Sequence, residues 1–253
     1  MKILCIACDA ITRPVYLSAA TSPHIVDIML IERGLHNQPE KLRETLQQEI
    51  ARAKPSTYDA IALAYGLCGQ ATQGLHAKDI PLVIPRAHDC ITLFLGSRER
   101  YQNHFENNPG TYWYAHDYIE RDDDSCGGLS LGSNTEADSL DDEFQSYVEK
   151  YGVDNAEYLM TIMGAWKKHY QRAAFIDLGI GDSARVKSQA QSQASERGWT
   201  YEEIAGDIIL IRNLLSGTWE NDNDPDFLIV PPGHSVEMTF DDAIIGCTLI
   251  NRH

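Results

Sequence analysis

The chain has 253 residues, enough for one large α/β domain or two small lobes, and its 43% hydrophobic and 23% charged content is ordinary for a globular protein. A net charge of −16, from 37 acidic against 21 basic residues, repels phosphate backbones and anionic lipid and so argues against nucleic acid and membrane as partners. No apolar run reaches the roughly 18–20 residues needed to cross a bilayer.

The opening run MKILCIAC lacks a basic region ahead of a long apolar core, so the expectation is a cytoplasmic protein. There, six cysteines read as thiols or metal ligands rather than disulfides.

In chain order, the first half alternates strands and helices, the signature of a doubly wound sheet. A strand is expected over 1–8, a short helix over 14–21 and a strand over 25–32. A helix follows over 39–52, where Leu42, Leu46 and Ile50 recur as one apolar stripe. Strands are expected at 58–65, 81–85 and 110–114, with a helix over about 90–105. Acidic and Gly/Ser-rich sequence then interrupts the pattern, with a helix expected at 140–151.

Beyond it come a helix at 156–171, a strand at 173–178, a helix at 183–197, a strand at 199–204, a helix at 208–215 and a strand at 227–230. The expected architecture is therefore α/β, doubly wound, with a mostly parallel sheet in two Rossmann-like lobes and a cleft between them. Residues 1–114 form the first lobe and carry the Cys/His motifs, 115–154 an acidic excursion or connection, and 155–253 a smaller second lobe.

Three cysteines stand where such a sheet gathers ligands, beyond the carboxyl ends of its strands. Cys8 ends the first strand, Cys68 lies in Gly66-Leu67-Cys68-Gly69 after 58–65, and Cys90 closes Arg86-Ala87-His88-Asp89-Cys90 after 81–85. Three thiolates with one open position, or two with His88, suit tetrahedral zinc. An iron–sulfur cluster with one open iron is a second option, though the short-spaced cysteine runs of ferredoxins are missing. Each cysteine alone also reads as a small buried residue. Cys5 and Cys247 read as core, and Cys126 as a reserve ligand or nothing.

His36 follows the second strand, His88 the fourth, and His234 the strand at 227–230, so all three are expected at the cysteine edge. His36 and His234 are possible additional ligands. His88 is the candidate acid/base, and Asp89 the group that orients it. Gly66 and Gly69 permit a turn that cradles an anion on backbone N–H groups. The same turn would favour a Cys68 thiolate, which leaves a metal-free cysteine nucleophile as a competing reading.

Asp177-Leu178-Gly179-Ile180-Gly181 resembles an adenosylmethionine-binding loop, but too little chain follows for the strands of such a domain. Gly179 and Gly181 are retained as ligand-touching loop positions. The acidic runs 120–124, 136–143 and 220–226 read as solvated loops, without the glycine and distal glutamate of a calcium loop.

The segments Cys5-Ile6-Ala7-Cys8-Asp9, Gly66-Leu67-Cys68-Gly69, the run from Arg86 through Ser97, and Pro109-Gly110-Thr111-Tyr112-Trp113-Tyr114 carry a family resemblance. Together they resemble the bacterial and archaeal domain-of-unknown-function family 1638 across most of the chain. The family name carries no established activity. The resemblance implies a setting among corrinoid-dependent methyl-transfer and one-carbon proteins, and this adds weight to zinc at Cys8, Cys68, His88 and Cys90. The expected partners are a small-molecule substrate, a corrinoid protein and a second copy of the chain. A non-catalytic module that holds a small ligand or a corrinoid partner is the third reading.

Overall fold

A computed structural model describes residues 1–68, 70–108, 110–121, 170–219, 224–239 and 243–250. The chain folds as two units, one of residues 1–102 with 206–253 and the other of residues 103–205.

The first unit is built on a five-stranded sheet of order β2-β1-β3-β4-β8. Its strands are β1 (Lys2–Cys8), β2 (Ile25–Ile31), β3 (Ala60–Ala64), β4 (Leu82–Pro85) and β8 (Phe227–Val230). The first four run parallel, and β8 joins β4 antiparallel. The pleat sorts the strand residues by parity. Leu4 and Ile6, Ile61 and Leu63, and Leu82 and Ile84 share one core with Leu42, Leu46 and Ile50 of α2 (Pro39–Arg52). The other face presents Ile3, Cys5 and Ala7 beside Ala60, Ala62 and Ala64, small residues that let helices approach closely. There α1 (Thr12–Ala20) packs on β1 and on α7 (Ile209–Ser216), and α7 in turn packs on β3 and β4.

The helix expected over 90–105 is two helices, α3 (Cys90–Leu95) and α4 (Arg98–Asn107). Gly96 separates them at φ +68°, and a Cβ there would stand 2.7 Å from the Asp207 Cβ. The hairpin of β9 (His234–Met238) and β10 (Ile245–Leu249) has no counterpart among the expected elements.

The second unit holds a parallel sheet of β5 (Thr111–Ala115), β6 (Arg172–Asp177) and β7 (Thr200–Ala205), in that order. It also carries α5 (His116–Glu120) and α6 (Ala184–Arg197), whose Val186, Ala190 and Ala194 are buried. The helix expected at 140–151, residues 156–169 of the helix expected at 156–171, and Cys126 lie outside the described residues.

Two strands differ from the lobe expected for them. β5, expected in the first lobe, pairs with β6; β8, expected in the second, pairs with β4. Local periodicity states that a segment is a strand, but the partner depends on which sheet edge is open when the chain returns. Here the insertion 103–205 returns the chain to the edge left by β4.

Arg86 helps to hold that return. Its buried guanidinium donates to the carbonyl oxygens of Asp224 (3.0 Å), Phe227 (3.2 Å), Ala243 (3.0 Å) and Ile245.

Candidate functional site

The carboxyl edge of the parallel strands is assembled by backbone first. Gly66 lies so close to the next loop that a Cβ on it would stand 2.6 Å from the Asp89 Cα and 2.7 Å from the Asp89 nitrogen. Leu67 N–H donates to the Ala87 carbonyl oxygen at 2.9 Å, and Cys68 N–H to that of His88 at 3.2 Å. The segments 66–68 and 87–89 are thus zipped together, which brings Cys68 beside the start of α3 and its Cys90.

The 3-10 turn Asp9–Ile11 that follows Cys8 packs against α3, so the end of β1 reaches the same place. On its other side the Asp9 carboxylate accepts from the Arg33 N–H at 2.9 Å. All three cysteines therefore lie at one sheet edge, as expected. None of them is in a disulfide.

Part of each of these three residues reaches the surface, yet the Cys68 and Cys90 sulfurs are desolvated. Burial pushes the Cys68 thiol well up, and the nearby charges of Cys8 and Asp89 add to it. Burial also raises Cys90, with Asp89, Cys68 and Cys8 adding in that order. The three thiols thus feel one another. Among the described residues, however, no three His, Cys, Asp or Glu side chains already stand at metal-ligand geometry. Loading an ion requires the thiols to turn toward a common centre.

Cys68 itself sits at φ +44°, in the left-handed region. That conformation costs a residue with a side chain about 1–2 kcal/mol, and such strain collects at functional turns.

Asp89 is buried, and its carboxylate is fully engaged. One oxygen accepts from Ile91 N–H (3.0 Å) and Thr92 N–H (3.3 Å), capping α3, and the other accepts from the Tyr101 hydroxyl at 3.0 Å. It therefore caps a helix rather than orienting His88. His88 is exposed, its ring 6.0 Å from that of Tyr101, so the acid/base role expected for the pair has no buried His–Asp geometry behind it.

Burial raises the Asp89 carboxyl above its ordinary value of 3.8, while its hydrogen bonds pull it back. Its ionisation therefore opposes folding as pH climbs from the unfolded value through the raised folded one. Asp89→Asn, which keeps an acceptor for both amides, is expected to stay within about 1 kcal/mol of wild type at pH 7, whereas Asp89→Ala loses about 1–2 kcal/mol with the cap. Urea unfolding midpoints check the difference.

The histidine expectations separate. His36 follows β2 at the cysteine edge. Its Nδ1–H donates to the Arg33 carbonyl oxygen at 2.6 Å, leaving Nε2 as the lone-pair nitrogen, and burial lowers its pKa toward the neutral ring. His234 is a correction. β8 runs antiparallel, with Val230 opposite Leu82 at the start of β4, so His234 leaves the sheet at the other edge. There it opens β9, and its carbonyl oxygen accepts from Ala77 N–H.

Gly69 lies outside the described residues. Gly179 and Gly181 belong to the second unit, in a turn after β6 with φ +65° and +76°. Asp177 closes that turn on the Gly179 N–H (2.9 Å) and pairs with Lys187 at 2.6 Å. Its carboxyl is accordingly held below the ordinary range, by the Lys187 hydrogen bond first.

One residue of the site escapes a reading of the sequence. Tyr65 is 2% exposed, and its hydroxyl is buried with no hydrogen-bond partner among the described residues. The signal is there: Ile61, Leu63 and Tyr65 alternate onto the face that also carries Cys8, and the register Ala7 to Ala64 sets Tyr65 next to Cys8. An apolar core accounts for the ring and draws attention away from the oxygen.

Among the described residues no helix is long and apolar enough to cross a membrane. No curated protein and no solved structure matches the chain. The family described as a protein of unknown function, DUF1638, matches residues 30–215, which span the end of β2 through most of α7 and include Cys68, His88 and Cys90. On that match the chain belongs to the DUF1638 family.

Proposed function

We propose that Cys8, Cys68 and Cys90 form a metal–thiolate centre, zinc favoured, in a cytoplasmic enzyme that acts on a small molecule in one-carbon or methyl-transfer metabolism. The observation that carries this reading is the placement of three cysteines at one edge of a parallel sheet. Two desolvated thiols with a third beside them do not ionise together without a compensating charge, and a bound dication would supply it. In such a centre zinc leaves one position for a ligand and acts there as a Lewis acid.

His36, with Nδ1–H held by a backbone carbonyl, is the histidine that suits a ligand position in place of one thiolate, since ligating histidines commonly anchor their other nitrogen this way. We read both units as Rossmann-like lobes. The corrinoid and one-carbon setting follows from the family resemblance alone.

The metal-free nucleophile reading is weaker for a physical reason. A reactive cysteine needs a lowered pKa, and burial and neighbouring negative charge raise that of Cys68. The third reading is a binding module that holds a small ligand or a corrinoid protein, and it would show ligand binding without turnover.

Elemental analysis of protein purified without chelator tests the proposal. Wild type is expected to hold one zinc per chain, and Cys68→Ser and Cys90→Ser each to lose most of it while remaining folded. Absorption in the visible would move the assignment to an iron–sulfur cluster. Equal metal content in wild type and both variants sinks it.

A further inference from the structure

Tyr65 is a group at the thiol edge whose chemistry the metal-centre reading leaves unused. It follows β3 directly, and its ring packs in the core with Ile6, Leu63 and Leu67, against which Cys8 and Cys68 also pack. Extending the β1–β3 register by one step sets it opposite Cys8, and the parity of the pleat puts both on the same face. Burial comes first in raising this hydroxyl, and the charges of Cys8, Cys68, Asp9 and Cys5 add to it.

A buried hydroxyl without a partner forgoes its hydrogen bonds to water, about 1–3 kcal/mol in protein interiors. Nearly all such groups are satisfied, and an unsatisfied one calls for a reason. A phenylalanine would fill the same volume without that loss.

We propose that the Tyr65 hydroxyl is a ligand-contacting donor: it hydrogen-bonds the acceptor atom of a small ligand, anionic or lone-pair-bearing, that binds by one atom beside Cys8 and Cys68. The inference rests on the metal–thiolate reading, since a cation is what draws an electron-rich atom toward thiols and carboxylates. The core around Tyr65 limits the ligand's size at that atom, and the O–H group selects an acceptor over a donor. Small thiolates, hydroxide and azide share this chemistry. Tyr65 holds the bound atom in place and balances its charge; it does not ligate the metal.

Cobalt-substituted protein titrated with azide, read by visible absorption, tests this in wild type and Tyr65→Phe. Both proteins should hold equal cobalt, and the variant should bind azide about tenfold more weakly, as expected for one hydrogen bond to a charged acceptor. Equal azide affinity at equal cobalt content overturns the role of Tyr65 and leaves the metal centre standing. Wild type that takes up cobalt but no azide also overturns it. Wild type that takes up no cobalt overturns the centre and this inference together.

Melting of the metal-free proteins gives an independent reading. Tyr65→Phe should melt at or above wild type, because it removes an unsatisfied buried group. A fall of several degrees would show that the hydroxyl is bonded within the resting fold, and the proposal would fail.

Discussion

Gly66→Ala is expected to lower stability by about 4 kcal/mol and to abolish the metal binding proposed for the thiol edge. The added methyl would stand 2.6–2.9 Å from three backbone atoms of Asp89, and backbone cannot swing aside as a flexible side chain does. Overpacking of this kind costs about 1–3 kcal/mol by itself. Relief requires the loops 66–68 and 87–89 to part, which breaks the Leu67 and Cys68 amide bonds to Ala87 and His88 at about 1 kcal/mol each. Parting the loops also separates Cys68 from Cys90, so metal content should fall even in protein that remains folded. Urea denaturation and zinc analysis of the same preparation check both effects. A variant with near-native stability and metal would show that the loops are not held by this contact.

The second large effect is at Arg86. Arg86→Ala should cost about 3–5 kcal/mol, because it removes a buried guanidinium that donates to the carbonyl oxygens of Asp224, Phe227, Ala243 and Ile245. Arg86→Lys should recover only a small part of this, since an ammonium on a flexible stem cannot present the same planar fork of donors. The loss should be local before it is global. Among the described residues β8 pairs in the sheet with β4 alone, and the Arg86 N–H donates to the Asp226 carbonyl oxygen at the same junction. Hydrogen exchange should therefore show the amides of Phe227–Val230 losing protection before those of β1 and β3. Uniform loss across the sheet would deny Arg86 this fastening role.

The site is legible to different depths at different residues. That Cys8, Cys68 and Cys90 follow three strands can be read from apolar runs, and a parallel sheet turns three strand ends into one edge. His234 is misplaced by the same logic, because the step from strand end to sheet edge assumes a direction, and β8 runs the other way. His88 and Asp89 read as a catalytic pair from adjacency. Neighbours along the chain at a helix start point apart, and the α3 amides and Tyr101 claim the carboxylate. Tyr65 passes unnoticed because hydrophobic periodicity counts the ring and is blind to the unsatisfied oxygen it carries.

By itself the sequence determined the strands of the first parallel sheet, the helix α2 and the faces they bury. The stripe Leu42, Leu46, Ile50 and the alternating runs of β1 and β3 needed only the helical and pleated periods, which are properties of the local backbone. The tertiary structure decided what depends on partners distant in the chain. It put β5 with β6 and β8 with β4, reversed the direction of β8, and split the expected helix at Gly96, where Asp207 leaves no room for a Cβ. It also set Tyr65 against Cys8. Periodicity repeats every two or four residues, whereas these choices turn on which edge, carbonyl or side chain is available when a segment tens of residues away arrives.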